Sequence, residues 1–202
     1  MLARVPDAPL EERAEVLADI IAEAQRLSRL VGGLLSLARA DGGQMLADKD
    51  LWLDELASEV VARVAGAHRE YSIELKADQP VCVRADPDLL SEVLLILLDN
   101  AIKYSRSYGS VLCTVAEVDG RARLTVQDWG IGISTDELPH IFERFYRAPR
   151  ARRHDRGGAG LGLSIAGWIV QQHHGHIDVR STEGEGTTIT ILLSTSRSCL
   201  PY

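Results

Sequence analysis

The stretch LLDNAIKYS, residues 97–105, decides how the rest of the chain is read. It ends a run in which Leu90, Val93, Leu94, Leu97, Leu98 and Ala101 recur at helical spacing, which predicts a deeply buried helix. Asp86 followed by Pro87 opens that helix with an acceptor side chain and a proline at the first helical position. At its far end, Asn100 offers an amide oxygen suited to a hard cation such as Mg²⁺, which keeps several waters and bridges to phosphates. Lys103 lies one turn from Asp99 and can meet a phosphate as a point charge. The same residues also suit an ordinary amphipathic helix end, and taken alone they leave both readings open.

Outward from this helix the chain reads as a mixture of strands and helices. Toward the N-terminus, Val81 to Arg84 and Tyr71 to Lys76 read as strands. Asp50 is expected to cap a helix running to about Ala67, with Leu53, Leu56, Val60 and Val64 on one face. Toward the C-terminus, Ser110 to Glu117 and Arg121 to Asp128 form two strands joined at Val118-Asp119-Gly120, a hairpin signal. Leu161 to His173 reads as a helix, and Ile177 to Ser181 with Thr187 to Leu193 as a closing hairpin. This order predicts an α+β fold, a two-layer α/β sandwich with a mixed sheet covered by helices. Residues 1–43 differ: Leu17, Ile20, Ala24, Leu27, Val31, Leu34 and Ala38 form one helical stripe, widened by Ile21, Leu30, Leu35 and Leu37. They read as a helical-bundle segment, stopped at Asp41-Gly42-Gly43, with residues 44–202 as the second unit; a helix packed on its own domain fits the same stripe.

Three further clusters carry chemistry. Asp128-Trp129-Gly130-Ile131-Gly132 places a carboxylate acceptor at a strand end beside glycines that let a flat ligand approach, and an exocyclic amine such as that of adenine is a natural donor to it. A plain tight turn fits the same residues. Arg144, Arg147, Arg150, Arg152, Arg153 and Arg156, preceded by Phe142 and Phe145-Tyr146, suit polyphosphate recognition. Gly157-Gly158-Ala159-Gly160-Leu161-Gly162-Leu163 opens a helix whose backbone N–H groups can face phosphates. It is neither a GxxxxGK[ST] loop nor a dinucleotide fingerprint, because no Lys-Ser/Thr pair follows and no βαβ unit surrounds it.

Composition removes other classes. The chain has 202 residues, 46% apolar and 25% charged, enough for one large domain or one domain with an appendage. With 22 Lys and Arg against 29 Asp and Glu, the net charge of −7 argues against nucleic acid as a partner. Cys82, Cys113 and Cys199 are widely spaced and odd in number, which is read as excluding a disulfide framework and as fitting a reducing compartment. Val93 to Leu98, the longest dense apolar run, falls far short of the ~20 residues of a membrane span, and MLARVPDAPLEER has no signal-peptide core. A soluble intracellular chain is the expectation.

The order and spacing of the clusters carry more than any one of them. Together they resemble the catalytic and ATP-binding domain of bacterial sensor histidine kinases, within the superfamily that includes gyrase and Hsp90-type ATPases. LLDNAIKYS resembles the N box, DWGIGIS the G1 box, IFERFYRA the F box and GAGLGLSIAGWIVQQHHG the G2 box, with EGEGTTITILL as the closing segment. The likeness covers about residues 45–194. It implies a Bergerat-type ATP-binding fold with ATP held between helices and a mixed sheet under a lid. It further implies that Asn100 binds Mg²⁺, Lys103 supports the phosphates and Tyr104 packs near the nucleotide. Asp128 would accept from the adenine amine, Gly130 and Gly132 would give close approach, and Thr187 would lie near the adenine. Phe142, Phe145 and Arg147 would begin the lid, Gly158, Gly160 and Gly162 would hinge it against the phosphates, and Leu161 among them would join the ATP-binding residues. EAQRLSRLVGGLLSLARADGG resembles the second helix of the dimerisation and histidine-phosphotransfer bundle.

The resemblance implies phosphoryl transfer from Mg-ATP to a histidine on a bundle helix and a response regulator as the next acceptor. It also implies dimerisation through residues 12–40 and a cytoplasmic segment of a parent commonly held in the plasma membrane. Three departures stand against it. No segment resembles the HELRTPL acceptor box, and none of His68, His140, His154, His173, His174 and His176 has its flanking pattern, so the acceptor histidine is expected on another segment. His173 is expected to be structural. Ile96 stands where the family usually has Asn and related ATPases a base-like Glu, and Trp129 stands where the family usually has a smaller or polar residue. A catalytically weak regulatory nucleotide-binding module and one half of a split kinase remain the alternatives.

Overall fold

The computed structural model describes residues 47–106, 108–148 and 159–199. The expectations for the bundle segment, for Gly158 and for Arg150, Arg152, Arg153 and Arg156 lie outside these residues. The elements are β1 (Lys49–Trp52), α1 (Leu53–Ala67), β2 (Ser72–Ala77), β3 (Cys82–Ala85), α2 (Pro87–Tyr104), β4 (Ser110–Val118), β5 (Arg121–Asp128), a 3₁₀ turn (Leu138–His140), α3 (Gly162–Gln172), β6 (His176–Thr182) and β7 (Gly186–Ser194). Five strands form one sheet in the order β2-β4-β5-β7-β6. β2 pairs parallel to β4, with Ser72 opposite Ser110, and the other ladders are antiparallel. A parallel pair needs a long crossover, which β3 and α2 supply. The expected α+β sandwich with a mixed sheet is therefore the observed fold.

Alternation decides which face of the sheet is covered. Val111, Cys113 and Val115 of β4, Ala122, Leu124 and Val126 of β5, and Ile189, Ile191 and Leu193 of β7 are buried toward the helices. The residues between them, such as Thr114, Thr125 and Thr190, stand on the opposite face. α2 lies centrally, packed against α1 on one side and α3 on the other. Its Leu90, Val93, Leu94 and Leu98 are each 0% exposed, as the broad apolar face predicts. Burying a leucine of this kind stabilises by roughly 1.5–3 kcal/mol.

The ends of α2 are fixed by local chemistry. Asp86 accepts from the backbone N–H groups of Asp88 (3.1 Å) and Leu89 (3.2 Å), and Pro87 follows it. The N–H of Asp86 itself donates to His173 Nε2 at 2.9 Å. His173 Nε2 is thus an acceptor, so Nδ1 carries the proton that it donates to Ile169 O at 2.8 Å. Buried at the end of α3, His173 ties that helix to the β3–α2 junction, which is the structural role expected of it. The β4–β5 hairpin turns through Asp119 (φ 52°) and Gly120 (φ 70°), two left-handed residues that match the strand twist.

Two expectations are corrected. Asp50 does not cap a helix: it lies in β1, opposite Arg84 of β3, and its Oδ1 accepts from Ser196 Oγ at 2.6 Å. Pairing with β3 holds residues 49–52 extended and delays the helix to Leu53, whose N-cap position Trp52 makes no side-chain cap. The second correction concerns the cysteines. Cys82 and Cys199, 117 residues apart, are joined in a disulfide with Cα atoms 5.8 Å apart. The chain after β7 runs back along β3, where Thr195 bridges Val83 and Ser196 N donates to Cys82 O at 2.9 Å. Sequence separation says nothing about this return. Cys113 stays a free thiol in the core, and burial pushes its pKa up to about 12.

Candidate functional site

The C-terminal turn of α2, the end of β5 and the start of β7 meet around a cavity of about 220 Å³. β5 ends on Asp128, only 8% exposed, and the chain then turns sharply. Gly130 N donates to Asp128 Oδ1 at 2.8 Å, and Ile131 N donates to Tyr104 O at 3.0 Å, so the turn is pinned to the end of α2. A Cβ on Gly130 would collide with the Tyr104 carbonyl oxygen. At Gly132, φ is +65° and a Cβ would strike the Thr182 carbonyl oxygen. These glycines are required by backbone approach on two sides.

The structure brings most of the sequence-predicted residues together. Asn100, Lys103, Tyr104, Asp128, Gly132, Arg147, Gly160 and Thr187 all line the cavity, with Asp99 beside them. Lys103 Nζ stands 5.2 Å from the centroid of the Tyr104 ring. Gly130 lies behind the wall, under Tyr104. Leu161 is buried at the entry to α3, and its carbonyl accepts from Ile165 N at 3.0 Å and Ser164 Oγ at 2.8 Å. Gly162 opens α3 directly beside α2: a Cβ there would stand 3.2 Å from Ile96 Cγ2 and 4.0 Å from Asn100 Nδ2. Ile96 thus packs against the helix start.

Two phenylalanines take other places. Phe142 packs on α3, where a Cβ on Gly167 would be 3.3 Å from its ring. Phe145 is 67% exposed at φ +65°, and its N–H donates to Gly160 O at 2.9 Å. That bond joins the two ends of the Arg- and Gly-rich segment. Trp129 is 45% exposed, so it is not a core packing feature.

The cavity wall also holds residues that sequence reasoning missed. Ile131, Ile133, Ile141, Leu163 and Ile189 supply its apolar surface, and Tyr146, already named with the arginine cluster, lies beside Arg147. Tyr146 is flanked by His140, with ring centroids 5.5 Å apart, and His140 Nδ1 stands 2.7 Å from Glu143 Oε1. Most of these residues fall inside the quoted boxes, where their apolar character resembles ordinary core. Behind the base of the cavity, Ser181 contacts Thr187, Gly186 and Ile133 through one hydroxyl. Nothing local in the sequence marks that group.

Burial raises the pKa of Asp128 above the ordinary carboxylate value, while hydrogen bonds from the N–H groups of Gly130 and Thr187 oppose the shift. An acceptor set in an apolar slot suits a flat base with an exocyclic amine. Lys103 and Arg147 provide cations in the same wall. The amide oxygen of Asn100 is a neutral hard donor, which suits Mg²⁺ that arrives with phosphates and keeps its waters. Among the described residues, no group of three or more His, Cys, Asp or Glu side chains converges to form a self-contained metal site.

Known proteins share this sequence pattern and this fold. Residues 85–197 match the family described as Histidine kinase-, DNA gyrase B-, and HSP90-like ATPase. YkoH of Bacillus subtilis, named a sensor histidine kinase, is 39% identical over 186 residues, covering 92% of this chain and 40% of that protein. SenX3 of Mycolicibacterium smegmatis, named a sensor-like histidine kinase, is 36% identical over 175 residues, covering 85% of this chain and 46% of its own. The chain thus spans less than half the length of either. Among solved structures, the mycobacterial sensor histidine kinase MprB superposes with a TM-score of 0.65 at 30% identity, covering 74% of this chain and 98% of that one. Full-length ShkA, solved in complex with AMPPNP, gives 0.76 at 27% identity, covering 98% of this chain and 42% of its own. With more than half of its residues inside the family match and the cavity built largely from them, the chain belongs to the histidine kinase-, DNA gyrase B- and HSP90-like ATPase family.

Proposed function

We propose that the chain is the ATP-binding catalytic portion of a two-component sensor histidine kinase. It transfers the γ-phosphoryl group of Mg-ATP to a histidine on a bundle segment, from which a response regulator takes it. The observation that carries this reading is the convergence of Asp128 and Thr187 with Asn100, Lys103 and Arg147 on one cavity. Residues 1–43 are read as the second bundle helix and residues 44–202 as the catalytic domain, in a cytoplasmic part of the parent protein. Dimerisation runs through residues 12–40.

In this reading Asp128 accepts from the adenine amine and the apolar wall around Ile131 and Ile189 holds the ring. Lys103 and Arg147 neutralise charge on the phosphates and align them. Asn100 would hold Mg²⁺, which would supply further charge neutralisation to the phosphates. Gly158, Gly160 and Gly162 hinge the lid. The imidazole nitrogen of the acceptor forms the N–P bond as the bond from the γ-phosphorus to the bridging oxygen breaks, and ADP leaves. Positioning and charge stabilisation provide the catalysis. Ile96 supplies no base, and transfer to a neutral imidazole, already nucleophilic, depends less on one.

The test mixes the chain with γ-labelled ATP and a separate bundle bearing an acceptor histidine. Label on the bundle is the expected result. ATP binding without transfer would favour a regulatory nucleotide-binding module, the reading that Ile96 beside Asn100 favours.

A further inference from the structure

We propose that Ser181 is a positioning residue for base specificity: it holds the Thr187 hydroxyl proton, so that the base end of the cavity presents only acceptors and selects a 6-amino purine over a 6-keto purine. The proposal rests on the nucleotide reading above and deepens it.

Proton counting carries the argument. Ser181 Oγ lies 2.8 Å from Gly186 O, 2.8 Å from Ile133 N and 2.9 Å from Thr187 Oγ1. A serine hydroxyl has one proton and two acceptor sites. The Gly186 carbonyl can only accept, so the Ser181 proton is committed there. The Ile133 N–H can only donate, so it fills one acceptor site. The contact with Thr187 therefore uses the other site, and Thr187 is the donor. With its single proton directed at Ser181, the Thr187 hydroxyl has only acceptor capacity left.

Thr187 stands directly opposite Asp128 across the β5–β7 ladder, and both line the cavity. Asp128 Oδ1 is held by Gly130 N at 2.8 Å, and the ionised carboxylate has no proton to offer. Two neighbouring acceptors match the two N–H bonds of a purine 6-amino group. A 6-keto oxygen brings lone pairs against them and offers neither acceptor a donor, the kind of mismatch that a buried polar site rejects strongly.

Removing the Ser181 hydroxyl releases the Thr187 proton to turn toward the ligand and donate to a keto oxygen. The experiment measures dissociation constants of ATP and GTP by calorimetry for the full chain and its variants. The parent chain should prefer ATP, and Ser181→Ala should narrow the ATP-to-GTP preference by about tenfold, the size of one reversed hydrogen bond. Ser181→Thr keeps the hydroxyl and should restore the preference. In Ser181→Ala/Thr187→Val no hydroxyl remains to donate, so the gained GTP affinity should vanish. A folded Ser181→Ala chain with the parental ratio overturns the proposal, as does a double variant that keeps the gained GTP affinity. Thr187→Val alone gives an arm that does not depend on the serine variant: it should weaken ATP without strengthening GTP, and an unchanged ATP affinity overturns the proposal. A parent chain that binds neither nucleotide overturns the functional reading itself, an outcome distinct from lost selectivity in a chain that still binds ATP.

Discussion

Replacing Asp128 by Asn tests the base-binding end while leaving its shape almost intact. The carboxylate is 8% exposed, and Gly130 N donates to its Oδ1 at 2.8 Å. An asparagine oxygen can keep that bond, the bond from the Thr187 N–H is weakened, and the substitution removes a charge that burial disfavours, so stability should change by only about 1–2 kcal/mol. Binding should respond differently. The amide has one acceptor oxygen where the carboxylate had two, and its NH₂ turns a donor toward the adenine amine. Loss of a hydrogen bond to a charged acceptor costs about 1.5–3 kcal/mol. At 1.4 kcal/mol per factor of ten, ATP affinity should fall by roughly 10- to 150-fold. Calorimetric titration with ATP, paired with thermal melting of the apo chain, separates the two effects. A variant that binds ATP as tightly as the parent would refute the adenine assignment. A variant that loses affinity only in proportion to a collapse in Tm would refute it as well.

Other consequences follow from particular residues. The Asp128 pKa is raised by burial, so ATP affinity should begin to fall on acidification above the pH at which an exposed carboxylate protonates. The same group acts oppositely on apo stability: its contribution is fully present below the unfolded-state pKa and is lost as pH rises through the higher folded-state value. A pH series of ATP titrations and apo melts should therefore show this group's two effects with opposite signs. Reduction of the Cys82–Cys199 bond, or Cys82→Ser, opens a link across 117 residues and should lower stability by about 2–4 kcal/mol, read from denaturant unfolding with and without a dithiol. An unchanged midpoint would mean that the bond constrains nothing in the unfolded chain. Gly132→Ala, forced to φ +65° against the Thr182 carbonyl, should displace the turn after Asp128 and weaken ATP binding, whereas Gly66→Ala on α1, where a Cβ meets open space, should not.

The helix carrying Asn100 was legible because its signals agree: an Asp-Pro start, an apolar face and a polar last turn all describe residues 87–104. The β4–β5 hairpin was legible for the same reason, since alternation and a two-residue turn point to one register. Asp50 was misread because a good cap residue is also compatible with a strand, and only pairing with β3 decides between them. The Cys82–Cys199 link depends on the chain returning along β3 after β7, which no local pattern announces. Within the site, charged and glycine residues were readable because their chemistry is costly to place without purpose. Ile131, Ile141 and Leu163 were not, because an apolar residue lining a cavity looks the same in sequence as one filling a core. Ser181 was hidden for a third reason: its role lies in the direction of one proton, set by three partners from separate parts of the chain.

Phosphoryl transfer to an imidazole can be followed through the label itself. The chain, saturated with γ-labelled Mg-ATP, is incubated with a bundle carrying an acceptor histidine and, in parallel, with the same bundle in which that histidine is glutamine. Label is expected on the first bundle only, stable to alkali and lost in acid as a phosphorylated imidazole should be, and strongly reduced with Asn100→Ala. Saturable ATP binding with no label on either bundle, or equal label on both, would contradict that transfer.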